Sequence, residues 1–200
     1  MFSYRRRLLF PIHIEHPDEK MAAELARDLN GPDGEFVSFA NYLYHSIHIT
    51  NIYLRDLLGM MAAEELGHWE IIGVVIRKLG LDYLPSTVTS VKVILGQSQN
   101  QNQSQSQSQS QSQSKVQDLD VLNMLRHHED AEIKAKQRYL KLAKTTDDQS
   151  LKKIFQFLAY RETVHQKLIH RTISLVNEKA DNEQFSELIH DYKMSLRVIK

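Results

Sequence analysis

The chain has 200 residues, no cysteine, and 25 basic side chains that balance 25 acidic ones. This length accommodates one domain, and the zero formal charge excludes a strong field for binding nucleic acid or an anionic membrane. The lack of cysteine excludes disulfides, thiolate metal sites and cysteine nucleophiles. Seven Gly, four Pro and 8% aromatic residues favour an all-α fold, while ten histidines and thirteen glutamates remain as possible metal ligands.

The first 14 residues carry basic and then apolar side chains, in the order of a secretory signal. Pro11 and His13 interrupt the apolar part and Glu15 follows it, so this stretch is too short for a signal peptide. The sequence contains no run of about 18 apolar residues, so it predicts no membrane-spanning helix. We therefore expect an extended N-terminal arm on a chain that stays inside the cell or inside a structure that the cell builds.

Apolar residues at helical spacing predict six helices. Their expected ranges are about 17–30, 33–48, 51–79, 119–143, 151–178 and 182–198. The sequence 31–34 (GPDG) predicts a turn, Gly80 ends the third helix, and 145–150 (TTDDQS) predicts a loop with capping side chains. Four long helices, with one long connection between the second and third, predict a ferritin-like four-helix bundle with peripheral N- and C-terminal segments.

Residues 97–114 contain only Gln, Ser and Asn and therefore cannot bury apolar surface. We predict that they form a disordered linker within a single domain of residues 1–200; the alternative is a Gln-rich assembly or adhesion element. The linker separates a first helix pair with its N-terminal arm, residues 1–95, from a second pair, residues 116–180. Residues 181–200 are expected to form a peripheral helix.

Two four-residue segments, 65–68 (ELGH) and 162–165 (ETVH), each place a glutamate and a histidine three positions apart. Residues at this spacing share one helix face, so both side chains can reach one ion. Each pair also lies in the middle of an apolar helical stripe, which predicts that it points into the bundle. A third such step, 187–190 (ELIH), lies on a largely polar face and is expected at the surface.

The other two bundle helices each place one glutamate on the corresponding face, Glu35 and Glu132. Four carboxylates facing one another in a dry core are costly unless cations lie among them, so the pattern indicates a dinuclear carboxylate site. Two divalent ions would balance the four negative charges. Six further residues are expected to point elsewhere or to lie at the periphery: His45, His48, Glu64, His127, His128 and Glu129.

Several stretches of the chain resemble the manganese catalase family, and most closely its short spore-coat members of the CotJC type. They are MFSYRRRLLFPI, GPDGEFVSFANYL, AAEELGHWEIIGVVIRKL, EDAEIKAKQRYL and LAYRETVH. The chain departs from longer members in two respects. Compared with theirs, the connection between the second and third bundle helices is short, and it holds the Gln/Ser tract. In addition, Ala131 precedes Glu132 where some full-length catalases carry an arginine.

The resemblance implies a role for each residue of the centre. Five residues match the family's metal ligands: Glu35, Glu65, His68, Glu132 and His165. Glu65 and Glu132 would bridge the two ions. Glu162 matches an outer-sphere carboxylate that moves protons, and Tyr42 matches a tyrosine that is hydrogen-bonded near the site; these two are the expected catalytic residues.

The resemblance further implies two manganese ions per chain, with iron as the alternative, and disproportionation of hydrogen peroxide to water and dioxygen. Two other functions remain open, a di-iron ferroxidase or peroxidase and a structural coat protein whose bundle is stabilised by metal. Expected partners are hydrogen peroxide, further copies of the chain and other spore-coat proteins, without nucleic acid or membrane. The expected location is the cytoplasm or the spore coat.

Overall fold

The computed structural model describes residues 10–29, 31–82 and 112–197. Within these ranges every secondary-structure element is a helix, which confirms the predicted all-α fold class. The six helices are α1 (Glu19–Leu29), α2 (Glu35–His48), α3 (Ile52–Lys78), α4 (Ser112–Thr145), α5 (Gln149–Asn177) and α6 (Asn182–Arg197). None of these helices combines the length and the apolar character that a membrane crossing requires.

Local sequence signals define the ends of the bundle helices. The Asn51 side chain accepts hydrogen bonds from the N–H groups of Tyr53 and Leu54 at the start of α3, and Asp148 accepts one from Leu151 at the start of α5. Gly34 precedes α2 directly, and a Cβ there would lie 2.4 Å from the Leu29 carbonyl oxygen. Only glycine therefore permits this close approach of the chain to α1.

The bundle consists of two helix pairs, α2 with α3 and α4 with α5. Each pair is joined by a three-residue connection, so its helices run antiparallel. Helix α1 packs on α3, and α6 lies across α3 and α5. The N-terminal arm also contacts the bundle: Phe10 stacks on Phe157 with ring centroids 4.7 Å apart, and Ile12 and Ile14 pack against the core.

Two apolar clusters fill the interior. One includes Ile72 of α3 and Leu158 of α5, and the other includes Met61 of α3 and Ile169 of α5. On each of these helices the Glu-x-x-His step lies between the two clusters. The fold therefore encloses one polar layer between two apolar cores, where side chains are removed from water.

The observed helix ends lie within about four residues of the predicted ones, except at the start of α4. That helix begins at Ser112, so the predicted disorder is wrong for 112–114, the last three residues of the Gln/Ser tract. Glutamine is a good helix former, and a helix nucleated by the amphipathic sequence that follows can extend through it at little cost. The remainder of the tract, 97–111, and residues 1–9 of the arm lie outside the described residues.

Candidate metal centre

Six buried side chains from four helices meet in the polar layer. Helices α2 and α4 each contribute a glutamate, and α3 and α5 each contribute a glutamate and a histidine. All six are residues that the sequence predicts for the centre: Glu35, Glu65, His68, Glu132, Glu162 and His165. None is more than 3% exposed.

The ligand atoms of these six residues form two overlapping groups. Within each group the atoms lie no more than 4.8 Å from one another. The members of the first group are Glu35, Glu65, His68 and Glu162, and those of the second are Glu65, Glu132, Glu162 and His165. Each group offers three carboxylates and one imidazole, a donor set that suits manganese or iron.

Both histidines present Nδ1 to the centre. His68 Nδ1 lies 3.0 Å from Glu162 Oε1 and 3.5 Å from Glu65 Oε2. His165 Nδ1 lies 2.7 Å from Glu65 Oε1 and 3.6 Å from Glu132 Oε2. Each ligand group thus contains one histidine that contributes Nδ1, and the two ring centroids lie 5.6 Å apart.

Several polar atoms that face the centre lack a hydrogen-bond partner in the structure. They are Oε1 of Glu65, both carboxylate oxygens of Glu162, and Nδ1 of both His68 and His165. Buried polar atoms are normally paired, and five orphans in one place call for an explanation. Cations coordinated by these atoms would satisfy them, so the residues present fit a dinuclear metal centre.

Burial and mutual repulsion also perturb the pKa values of these side chains. Burial, reinforced by neighbouring carboxylates, raises the pKa of Glu35 to about 8 and the pKa of Glu132 well above its usual range. Burial opposes ionisation of Glu162 too, but the charge of His68 and the closeness of both histidine rings hold its pKa below the usual value. Burial disfavours charged His68 and His165, yet nearby carboxylates raise both pKa values.

Two tyrosines connect α2 and α4 in a reciprocal way. Tyr42 of α2 donates a hydrogen bond to Glu132 of α4, and Tyr139 of α4 donates one to Glu35 of α2. Arg138 Nη2 adds a second donor to Glu35, at 2.8 Å. Tyr42 is expected near the site from the sequence, whereas Tyr139 and Arg138 are not. A Glu-x6-Tyr spacing in both helices, two turns along one face, is the signal that could have found Tyr139.

Glu64 belongs to neither ligand group, in agreement with the expectation that it points elsewhere, but it contacts the outer side of both histidines. Its side chain is buried, it forms an ion pair with Arg161, and its Oε2 lies 3.1 Å from His165 Nε2. On an α-helix, a residue one position before a core residue still lies at the edge of the inward face. Arg161 itself is fully buried, and sequence reasoning assigns it no role.

The peripheral placement of His45 is wrong, and His128, which is expected to point away from the centre, lies outside both ligand groups but is buried beside Tyr42. Both are buried, and His45 Nδ1 lies 2.9 Å from His128 Nε2. The His128 ring stacks on Tyr42 at a centroid distance of 4.0 Å. His128 is four residues before Glu132 in α4 and therefore shares its face, which explains the inward direction.

The other residues that are expected outside the centre do lie away from it. His48 is exposed, and Glu129 pairs with exposed His170 away from the centre. His127 is only partly buried and contacts His128. Glu187 and His190 of the third Glu-x-x-His step are both exposed, which confirms their placement at the surface.

Comparison with known proteins agrees with the fold and the centre. The family model described as "Manganese containing catalase" matches residues 1–186. The chain belongs to this family. Its relatives include the "Probable manganese catalase" of Clostridium acetobutylicum, 25% identical with 92% of this chain and 85% of the relative covered. Protein CotJC of Bacillus subtilis is also 25% identical, with 92% of this chain and 99% of the relative covered.

The structure of KatB, a manganese catalase from Anabaena, shares the fold. Its TM-score with this chain is 0.67 at 20% sequence identity, and 91% of this chain and 84% of KatB are covered. In one respect the geometry differs from what the manganese catalase resemblance implies. Glu65 belongs to both ligand groups, as a bridging residue should, but the second shared residue is Glu162, whereas Glu132 belongs to one group.

Proposed function

We propose that this manganese catalase family member binds two manganese ions per chain and disproportionates hydrogen peroxide to water and dioxygen. The proposed ligands are Glu35, Glu65, His68, Glu132 and His165. The observation that carries the proposal is the pair of overlapping ligand groups, whose central atoms are buried and unpaired. When bound, the two ions would supply reversible two-electron redox chemistry, in which one peroxide is reduced and a second is oxidised.

The protein side chains have separate tasks in this proposal. Glu162 is the proton carrier, since it is fully buried, faces both ligand groups and has no hydrogen-bond partner on either oxygen. Tyr42 orients Glu132 through its hydroxyl group. The apolar clusters on either side of the polar layer exclude bulk water, which strengthens every electrostatic interaction inside it.

A structural role in the spore coat is the second candidate. It is favoured by the similarity to protein CotJC of B. subtilis, which this chain matches over 99% of that protein's length. In that case the metal would stabilise the bundle, with little turnover of peroxide. A location in the spore coat, contact with other coat proteins and assembly into a homo-oligomer are parts of the proposal that the two candidates share.

Metal analysis and oxygen release on one preparation test these functions. Protein purified without added metal should contain about two ions per chain, predominantly manganese, and should release dioxygen when peroxide is added. Two iron ions per chain would instead support a ferroxidase or peroxidase. Two manganese ions without oxygen release would support the structural role. A folded preparation that takes up no metal, or one zinc ion per chain, would contradict the dinuclear centre itself.

A further inference from the structure

Glu64 contacts the sides of both histidines that face away from the centre. Its Oε2 lies 3.1 Å from His165 Nε2, within hydrogen-bond distance, whereas its Oε1 lies 3.6 Å from His68 Nε2, which has no hydrogen-bond partner in the structure. Both rings present Nδ1 to the ligand groups, so Nε2 is the nitrogen left to donate a hydrogen bond. One carboxylate thus lies behind both imidazoles, on the side opposite the inner glutamates.

Glu64 is itself held firmly by three donors. Arg161 donates from Nε to Oε1 at 2.5 Å and from Nη2 to Oε2 at 3.1 Å. The Tyr192 hydroxyl of α6 donates to Oε2 at 2.7 Å. All three side chains are buried, and the Arg161 and Tyr192 side chains are almost completely so. A carboxylate with this many donors has one position and one orientation, so it can fix the rings that it contacts.

We propose that Glu64 is a positioning residue that holds the Nε2 side of the metal-binding ring of His165 and lies next to the same side of His68, with α6 supporting it through Tyr192. The proposal rests on the dinuclear centre proposed above. A histidine that donates Nε2–H to a carboxylate keeps Nδ1 free as a metal donor, and such outer partners affect metal affinity strongly. The shorter distance to His165 makes this the ring that depends more on Glu64.

Glutamine in place of Glu64 provides a sharp test. Its amide has one acceptor oxygen, whereas both oxygens of Glu64 accept from Arg161 and each faces one histidine. In Glu64→Gln, one of the two oxygens becomes an NH₂ group, which cannot accept a hydrogen bond from Arg161 or from the histidine that it faces. The matched control is Glu129→Gln, because Glu129 pairs with the exposed ring of His170 at 2.9 Å, outside the centre.

Two measurements on reloaded protein separate a positioning role from a general effect on folding. In protein loaded with diamagnetic Zn²⁺, NMR detects the ring Nε2–H protons of His68 and His165 and their exchange with water. In protein titrated with Mn²⁺, the EPR signal of the free ion reports affinity. For Glu64→Gln we expect faster exchange, mainly at His165, and Mn²⁺ affinity lower by about 10–100-fold. Glu129→Gln should match the wild type.

A second variant covers the case in which Glu64→Gln does not fold. Glu64→Leu combined with Arg161→Leu removes both members of the buried ion pair, so that no buried charge is left unpaired. It should show the same loss of Nε2–H protection and of Mn²⁺ affinity. Tyr192→Phe should produce a smaller change in the same direction, because it removes one of three donors to Glu64 together with the 3.4 Å contact of the same hydroxyl with His165 Nε2.

The outcomes distinguish this inference from the proposed function. If the wild type binds two ions and the folded Glu64 variants keep wild-type Nε2–H protection and affinity, the positioning role is refuted while the dinuclear centre stands. A folded wild-type protein that binds neither Mn²⁺ nor Zn²⁺ at two ions per chain would overturn both.

Discussion

The two ends of the centre are built on the same plan but differ in charge. At the Glu35 end, Tyr139 and Arg138 both donate to the carboxylate, and Arg138 also donates to the Asp33 carbonyl oxygen at 2.8 Å. At the Glu132 end, Tyr42 is the corresponding donor. A guanidinium therefore donates to Glu35, whereas the described contacts of Glu132 include no arginine or lysine side chain.

The two ends also differ in the side chains that surround the tyrosine and its carboxylate. Glu35, Arg138 and Tyr139 line a cavity of about 10 Å³, close to the minimum for one water molecule, and the Arg138 side chain is 19% exposed. At the Glu132 end, the ring of His128 covers Tyr42, and burial and the nearby charges of His45 and His127 lower the pKa of His128. One helical scaffold thus gives two equally buried carboxylates different surroundings, with a guanidinium beside Glu35 and a stacked imidazole next to the tyrosine that supports Glu132.

Removing either histidine should produce the largest effect. His68→Ala takes the nitrogen donor from the group at the Glu35 end, and His165→Ala takes it from the group at the Glu132 end. Each variant should therefore lose metal and nearly all turnover, as measured by metal analysis and oxygen release. His190→Ala, on the exposed face of α6, is the control. Equal metal loss in that control would show that the helix faces are assigned wrongly.

Glu162 belongs to both ligand groups, so its substitution tests whether the two ends share a proton carrier. Glu162→Gln keeps the shape of the side chain and removes the titratable carboxylate. If Glu162 is an outer-sphere group, metal content should stay near two per chain while turnover falls by about 10²–10⁴-fold. Lower metal content in the same preparation would instead identify Glu162 as a ligand, and unchanged turnover would refute its proposed role.

Arg138 should separate the two ends by their dependence on pH. The pKa of Glu35 in metal-free protein is raised to about 8, and Arg138 opposes that rise. Manganese binds the ionised carboxylate, so uptake should increase as pH rises through about 8. Removing the cation in Arg138→Met should move the midpoint of Mn²⁺ uptake upward by about one pH unit or more, as followed by EPR of the free ion.

The raised pKa of Glu35 also determines how the stability of the metal-free protein changes with pH. Between the unfolded value near 4.5 and about 8, the native state holds a proton on Glu35 that the unfolded chain releases, so this contribution weakens as pH rises. Arg138→Met should extend the window to higher pH in thermal unfolding of metal-free protein. A midpoint of uptake that does not move in this variant would contradict the difference between the ends.

His128→Phe should have the smallest effect. Phenylalanine keeps a ring that can stack on Tyr42 but loses the hydrogen bond to His45, whose nitrogen lies 2.9 Å from the ring of His128. We expect about 1 kcal/mol lower stability by chemical unfolding, with metal content unchanged. Loss of metal in this variant would show that the Glu132 end depends on the imidazole of His128 itself rather than on the shape of its ring.

Most of the fold could be predicted from local sequence signals. The GPDG turn, the caps at Asn51 and Asp148, and the apolar stripes identify the bundle helices to within a few residues, because these signals act between neighbours in the chain. The start of α4 was missed because the Gln/Ser tract carries no apolar stripe, and a helix can extend from its neighbour without one.

The centre itself was also predictable, since Glu35, Glu132 and the two Glu-x-x-His steps lie on apolar stripes where a buried carboxylate needs a partner. The surrounding residues were not. Glu64 and His128 lie next to or one turn from core positions, and a helical pattern cannot tell whether such a residue points toward a neighbouring helix or toward water. Their direction depends on which side chains the neighbouring helices supply.

The sequence by itself determined an all-α bundle with six inward carboxylate and imidazole side chains, because helix periodicity and the cost of buried charge are properties of local order. The tertiary structure alone decided the partnerships across helices. Examples are Tyr139 with Glu35, Arg161 with Glu64, and Tyr192 of α6 with the same carboxylate. Residues 97 to 128 positions apart make the Glu64 contacts, and no local pattern encodes a contact that exists only once separate helices pack together.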